Sequence, residues 1–591
     1  MGSLRSGQPH TPAVNSGHDA AQSSQGIPNK PPEGRDFNCF AAAPKLTWAI
    51  KPRLSKNSPY SCQPIGLVPA LRSETDAPDP SLGKQLTAPP TDNPPGPNGM
   101  SIDGPAVHPL IAWAVILALG LGIWLIDAGL GARPAAVEPW GWRLFAIFIP
   151  TVLALMLRPL PGGACVLLAL IAAVLLGAMP PGPGTSPPAV ETMETALGGF
   201  RDPTVWLVLA AYFIARALIK TGLARRIALN FVRALGHNTL GLSYAIVASD
   251  TVLAGMIPSN AARVGGVMLP ITRSLAELYN SHPGKTAGLL GTFLMLALYQ
   301  GDVMACALFV TGQASNWLAA REANEMASPV PVTYSTWVLY ALVPAVSCLL
   351  VIPALVFRLN RPGIIKTPAA PEFARAELHR MGWPRRGEWI VLGTFVGVCT
   401  FWILDASALN TALIALTAVG VLLLCGTLTW QDCITEKSAW DVFIWYGGLV
   451  QLGKLLGKAG VFKVFSQAAA DHLAGWHPLL LFLFLLLVYF YAHYAFASIT
   501  AHILAMYRAF ALVLIAATMP PAVVLFSFAY FSNFAAGLTH YGTTPGPIIF
   551  SLAYVPQGTW WRTGLLLSFF NIAIWLTIGM GWWWLLGLWQ K

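Results

Sequence analysis

The sequence predicts an all-α polytopic membrane protein in which two inverted repeats each carry a re-entrant hairpin. Three observations predict it. Hydrophobic residues make up 55% of the chain and charged residues 10%, with a mean hydropathy of +0.58, a balance that no water-soluble domain of this size carries. A crossing of about 30 Å takes about 20 apolar residues, and roughly ten or more such segments fit between Ala106 and the C-terminus. Finally, a polar stretch inside membrane-grade sequence occurs twice. Ile257 to Ile271 reads IPSNAARVGGVMLPI, and His493 to Tyr507 reads HYAFASITAHILAMY. In each copy a serine is followed four residues on by a base, Ser259 with Arg263 and Ser498 with His502.

Composition also narrows the function. The net charge of +10 is spread over loops rather than gathered with aromatics in a soluble domain, which fits membrane-side flanks and not a nucleic-acid partner. The eight cysteines lack CxxC or Cys/His ligand spacing, so neither a metal site nor a disulfide framework is expected. No HExxH or ordered Ser/His/Asp set points to an enzyme. No cofactor is implied. An anion channel is a remote alternative to a carrier, because a fixed selectivity filter does not need two hinged tips.

Residues 1–105 are rich in Pro, Ser, Gly and Asn with no apolar run long enough to pack, and read as a disordered extension. A transit segment and an over-extended start, with Met100 as initiator, are the alternatives. The first repeat covers 106–358. Pro109 to Ile126, Trp142 to Leu157 and Ala164 to Met179 are spans, and Thr204 to Ala217 is a fourth. Arg216, Lys220, Arg225, Arg226 and Arg233 follow as a basic amphipathic stretch suited to the cytoplasmic interface. Ser243 to Ile257 reaches only roughly 24 Å and is too short to cross. With the Pro-Ser-Asn break and the helix that follows, it makes a re-entrant hairpin over 243–278. Backbone freed at such a tip must line protein or water, so the tip predicts a site. A span from Leu289 then breaks near 310–316, and Trp337 to Phe357 closes the repeat.

A basic loop over 359–388 belongs in the cytoplasm. The second repeat, 389–591, follows the first. Lys220 to Leu223 is echoed by Lys458 to Val461 at nearly the spacing that separates the two serines. The second hairpin is expected over 478–517 and a second broken helix near 542–547, while Trp582, Trp583, Trp584 and Trp589 form an aromatic belt. Lys454, Lys458 and Lys463 would lie on the outer side, against the positive-inside rule.

A helix N-terminus offers amide hydrogens and partial positive charge to a carboxylate. A residue four positions into the outgoing helix shares the face of the tip serine and leans back toward it. Arg263 and His502 are therefore expected to lean toward a bound dianion, with like charges close together in the empty site favouring exchange. The alternatives are that Arg263 pairs with Asp250 and that His502, His493 and His540 are packing residues.

The two tips, with LTHYGTTPGP, the following YVP and a Trp pair, resemble the divalent anion/sodium symporter family, within it the 2-oxoglutarate/malate translocator branch of bacteria and plastids. The resemblance covers residues 110–590. It implies a homodimer of about eleven helices per chain working by an elevator movement, in line with spans of about 20 residues. It also implies small dicarboxylate substrates. In that family each hairpin carries a Ser-Asn-Thr signature. Here the first is Ser259, Asn260 and Ala261, and the second Ser498, Ile499 and Thr500. The resemblance makes Ser259, Asn260, Ser498 and Thr500, with Thr311 to Asn316 and Gly542, Thr543, Thr544 and Pro545 at the breaks, the substrate site. Ile499 removes an amide from the second sodium site, leaving Ser259 and Asn260 as a possible residual one. Sodium-independent exchange of C4 and C5 dicarboxylates, with Arg263 and His502 in place of cations, is the leading expectation, and sodium-driven symport is the alternative. The expected location is a bacterial inner membrane, or else a plastid inner envelope.

Overall fold

Helices account for the regular structure among the described residues, and one isolated bridge, Asn238 with Lys366, is the only extended pairing there. The computed structural model describes residues 108–181, 188–326, 330–404, 410–472 and 475–590. The expected extension over 1–105 lies outside the described residues. Nine helices there are long and apolar enough to cross a membrane, from Pro109–Ala128 to Gln557–Leu585. Three shorter apolar helices, Gly162–Leu175, Thr239–Ala254 and Thr411–Leu424, accompany them.

Proline opens many of these segments. Pro109, Pro139, Pro203, Pro478 and Pro521 occupy first-turn positions, where the missing N–H costs nothing. Asp202 strengthens one start by accepting the Thr204 N–H at 3.0 Å. The echoed sequence Lys220 to Leu223 and Lys458 to Val461 proves to be the same turn. Gly222 has φ 83° and Gly460 φ 84°, the left-handed conformation that ends a helix and favours glycine. The repeat is thus visible in the backbone.

Both hairpins form. In the first, the inbound helix Thr239–Ala254 has 16 residues and starts four residues before the sequence suggests, because Asn238 caps it through the Gly241 N–H at 2.7 Å. The outbound helix starts at Asn260, widens into a π turn at Val264–Met268 and continues as Leu269–Leu278. The second hairpin repeats this plan with Pro478–Ala492, a start at Ile499, a π turn at Ile503–Tyr507 and Arg508–Ala516. The paired π turns, directly after Arg263 and His502, have no signal in the sequence pattern. Such turns interrupt the regular backbone ladder and gather at functional sites.

Each repeat also contains a broken helix. The first stops at Leu308, makes a 3-10 turn over Val310–Gly312 and resumes at Ala314–Glu325. The second runs Pro521–Ala535, turns over Ala536–Leu538 and resumes at Pro545. The second interruption therefore covers 539–544 rather than 542–547, because Pro545 serves as a helix start. These are the innermost elements. Their first halves are 94% buried, against 11% for Pro109–Ala128, whose apolar surface is left for lipid or another chain.

The two basic segments lie together. Leu223–Leu235 packs against Ala369–Met381, with Arg225 on Glu377 at 2.7 Å and Arg226 on Glu388. Lys454, which strains the positive-inside count, is paired with Asp202 at 3.1 Å, and Arg321 shares that carboxylate at 3.0 Å. A paired lysine loses much of its weight in such a count.

The breaks depend on close backbone approach. A Cβ on Gly312 would meet the Cys306 Cα at 2.7 Å, and one on Gly542 would meet the Ala536 carbonyl oxygen at 2.5 Å. Gly312→Ala and Gly542→Ala should each lower stability by about 1–3 kcal/mol, read as earlier thermal unfolding of the purified protein. Wild-type melting in both variants would contradict this packing.

Candidate functional site

The first tip is capped by its own side chains. Ser259 Oγ accepts the Ala262 N–H at 3.2 Å, and Asn260 Oδ1 accepts the Ala261 N–H at 3.0 Å. Asn260 also crosses to the second break, donating to Thr543 Oγ1 at 2.9 Å and accepting from Thr544 Oγ1 at 3.0 Å. Ser259, Asn260 and Thr543 are buried, while Thr544 is exposed. Thr544, whose hydroxyl points in to Asn260, lies at the exposed edge of this buried polar set. An incoming carboxylate can take the capped amides only by displacing these side-chain oxygens.

At the second tip Ser498 Oγ accepts the Ala501 N–H at a longer 3.4 Å. Ser498 and Thr500 are half-buried. The Arg158 guanidinium donates to the Ala497 carbonyl at 2.7 Å, bringing a third element to this tip. Counting along the outbound helices, Ile499 stands where the first repeat has Asn260, and its side chain forms no polar bridge. Gln313, the residue in the first break equivalent to Thr543, donates instead to Asn533 Oδ1 at 2.5 Å and to Asn316 Oδ1 at 3.4 Å.

Thr311 and Asn316 serve the first break. Thr311 Oγ1 donates to the Gly255 carbonyl at 3.0 Å, and Asn316 Nδ2 donates to the carbonyls of Cys306 at 2.8 Å and Phe309 at 3.0 Å. Both side chains are spent on freed backbone oxygens, as membrane burial demands. Pro545 is buried at the start of the resuming helix.

Arg263 departs from expectation. It is fully buried, and its guanidinium is given to two acids and to backbone rather than to the capping groups Ser259 and Asn260. Its Nε donates to Asp250 Oδ1 at 2.8 Å. Nη1 donates to the carbonyls of Ile257 at 3.2 Å and Gly312 at 3.0 Å, and Nη2 reaches Asp302 Oδ1 and, at 3.2 Å, Cys306 Sγ. Two buried carboxylates outcompete the tip for the guanidinium, so Arg263 is not a free charge for a substrate. The like-charge argument for exchange falls with it.

His502 also turns inward and is fully buried. Its Nε2 faces the Tyr489 carbonyl at 2.9 Å, its Nδ1 faces His493 Nδ1 at 3.2 Å, and His493 Nε2 faces the Gly542 carbonyl at 3.0 Å. A carbonyl only accepts, so both Nε2 atoms carry hydrogen. The contact between the two Nδ1 atoms is a hydrogen bond only when one of them carries hydrogen as well. His493 joins His502 to the second break, which it touches directly.

The structure thus gathers Asn260, Thr543 and Thr544 around one junction beside Ser259. It leaves Ser498 and Thr500 at the second tip and turns Arg263 and His502 into buried clusters. Asp302, His493, Asn533 and Arg158 are not among the site residues expected from the sequence. For Asp302 a signal existed, since an acid in the middle of an apolar span is costly and so functional by default.

The family described as the sodium:sulfate symporter transmembrane region matches residues 109–589. The chain is 40% identical to YflS, a candidate malate transporter of Bacillus subtilis, over 81% of this chain and 97% of that protein. It is 37% identical to the chloroplastic dicarboxylate transporter 1 of Arabidopsis thaliana, covering 82% and 84%. It is 31% identical to the L-tartrate/succinate antiporter of Shigella sonnei, covering 76% and 94%.

The junction is testable by a double-mutant cycle. Asn260→Ala and Thr543→Val should each destabilise, with a coupling of about 0.5–1.5 kcal/mol between them, measured by thermal unfolding in lipid. Strictly additive losses would show that the two side chains do not meet.

Proposed function

The chain belongs to the sodium:sulfate symporter family, a family of membrane transporters and not of enzymes, and from that premise we propose a dicarboxylate carrier that exchanges its substrates without sodium. 2-Oxoglutarate and malate are the proposed pair, moved by an elevator-type displacement of the hairpins and broken helices. The similarity to proteins named as dicarboxylate transporters and as a tartrate/succinate antiporter supports both the substrate class and the exchange mode.

In this reading Ser259, Asn260, Thr543 and Thr544 hold one carboxylate. Ser498 and Thr500, at the more weakly capped tip, hold the other. Neutral hydroxyls, amides and backbone N–H groups suit this task, because they bind a carboxylate without trapping it as a fixed charge would.

One observation carries the sodium independence. Arg263 Nη1 bridges the carbonyls of Ile257 and Gly312, joining the first tip to the first break. Backbone carbonyls brought together in this way are the ligands a bound cation uses. A covalently attached guanidinium already occupies them. Because Asp250 and Asp302 offset its charge, Arg263 takes over a cation's structural task rather than its net charge.

Proteoliposomes test this. Uptake of labelled 2-oxoglutarate should require internal malate and stay unchanged when choline replaces sodium. Uptake that demands sodium and proceeds without an internal dicarboxylate would instead establish symport through Ser259 and Asn260.

A further inference from the structure

The Arg263 cluster contains one more acceptor set than it has donors. A guanidinium has five N–H groups, and here all five are committed, to Asp250 Oδ1, Asp302 Oδ1, Cys306 Sγ and the carbonyls of Ile257 and Gly312. The second oxygens of the two acids, Asp250 Oδ2 and Asp302 Oδ2, are buried without a hydrogen-bond partner among the described residues. Asp250, Arg263 and Asp302 are each 0% exposed. Two carboxylates against one guanidinium leave a net charge of minus one in the membrane interior, where an uncompensated charge and two unsatisfied oxygens are both expensive.

The neighbouring groups do not supply the missing donor. Tyr299, one turn before Asp302, gives its hydroxyl to the carbonyls of Ala536 and Thr539 at 2.8 and 2.9 Å. Gln300 donates to the Gly537 carbonyl at 2.8 Å, and Ser249, next to Asp250, donates to the Ala245 carbonyl at 2.6 Å. Cys306, the remaining titratable group, has its thiol against the Gly312 carbonyl at 3.4 Å. Among the described residues, the inbound helix, the outbound helix and the broken helix thus bring Asp250, Arg263, Asp302, Cys306 and Tyr299 together and no further base or acid.

Asp250 on Nε and Asp302 on Nη2 of the same guanidinium stand side by side. We propose that Asp250 and Asp302 form a binding site for a single proton, shared between their Oδ2 atoms. One proton removes the surplus negative charge and satisfies both orphaned oxygens in one O–H···O bond. Two carboxyls sharing a proton because they cannot both ionise side by side is an established solution to crowding of like charges. A sodium ion meets the charge requirement but draws on more oxygen ligands than these two, and the surrounding hydroxyls and carbonyls are already engaged. The proton has a mechanical consequence. Without it, the guanidinium would be drawn onto the two carboxylates and away from Ile257 and Gly312, loosening the first tip from the first break.

Infrared spectroscopy of the purified protein in lipid reads this directly, whichever anion is carried. At neutral pH the wild type should show the carbonyl band of a protonated carboxyl group, and Asp250→Asn and Asp302→Asn should each lose it, since the asparagine amide replaces the O–H donor. The band should be the same in sodium and in choline. Labelling the wild type with 4-13C-aspartate should shift the band, which keeps the test open if either variant fails to accumulate. Absence of an acid band, a band unmoved by aspartate labelling, a band that survives in both variants, or one abolished by sodium would overturn the proposal.

Discussion

Backbone released at membrane depth has no water to turn to, and the guanidinium of Arg263 resolves that problem at the point where it is most acute. Two carbonyls, one from the hairpin tip and one from the broken helix, are freed because neither segment can continue as a helix there. Arg263 reaches both from the first turn of the outbound helix and is itself held by two acids. A planar five-donor group is suited to this, whereas a lysine has three donors on a point charge and cannot span two carbonyls and two carboxylates in one plane. Removing Arg263 would therefore strand two carbonyls and two carboxylates together.

The second repeat solves the same problem with different chemistry. Counting along matched elements, Tyr489 stands where the first repeat has Asp250, Ser532 where it has Asp302 and His502 where it has Arg263. Tyr489 and Ser532 are joined at 2.6 Å, so the carboxylates have been exchanged for hydroxyls. His493, which has an alanine as its counterpart, completes the bridge to Gly542. The backbone symmetry is retained, with matching π turns and matching left-handed glycines, while the charge is redistributed. The first cluster is rich in acid and the second in base.

Much of this was legible in the sequence. The apolar runs announced the spans, and Pro258, Ser259 and Asn260 announced the first tip because no lipid-facing helix tolerates that break. The serine-plus-base spacing paired the two tips, and the chain's membership of a transporter family agrees with that reading. The direction of the two basic side chains was not legible. A residue four places into a helix shares a face with the tip, but that face also looks onto the inbound helix and the broken helix. Which neighbour wins depends on Asp302 and His493, distant or unremarkable in the sequence and adjacent only after folding. The π turns were hidden for a related reason, since a one-residue widening of a helix leaves no mark on hydrophobic periodicity.

Ile499 has a consequence for the balance between the two tips. The first tip is fastened to the opposite break by two hydrogen bonds through Asn260, and the equivalent position of the second tip has nothing to fasten with. At about 0.5–1.5 kcal/mol for each bond, freeing the two tips differs by about 1–3 kcal/mol, or about five- to over a hundred-fold in rate. With a latch at one tip alone the two hairpins are mechanically unequal, and the second tip is the one that parts more readily from its neighbours.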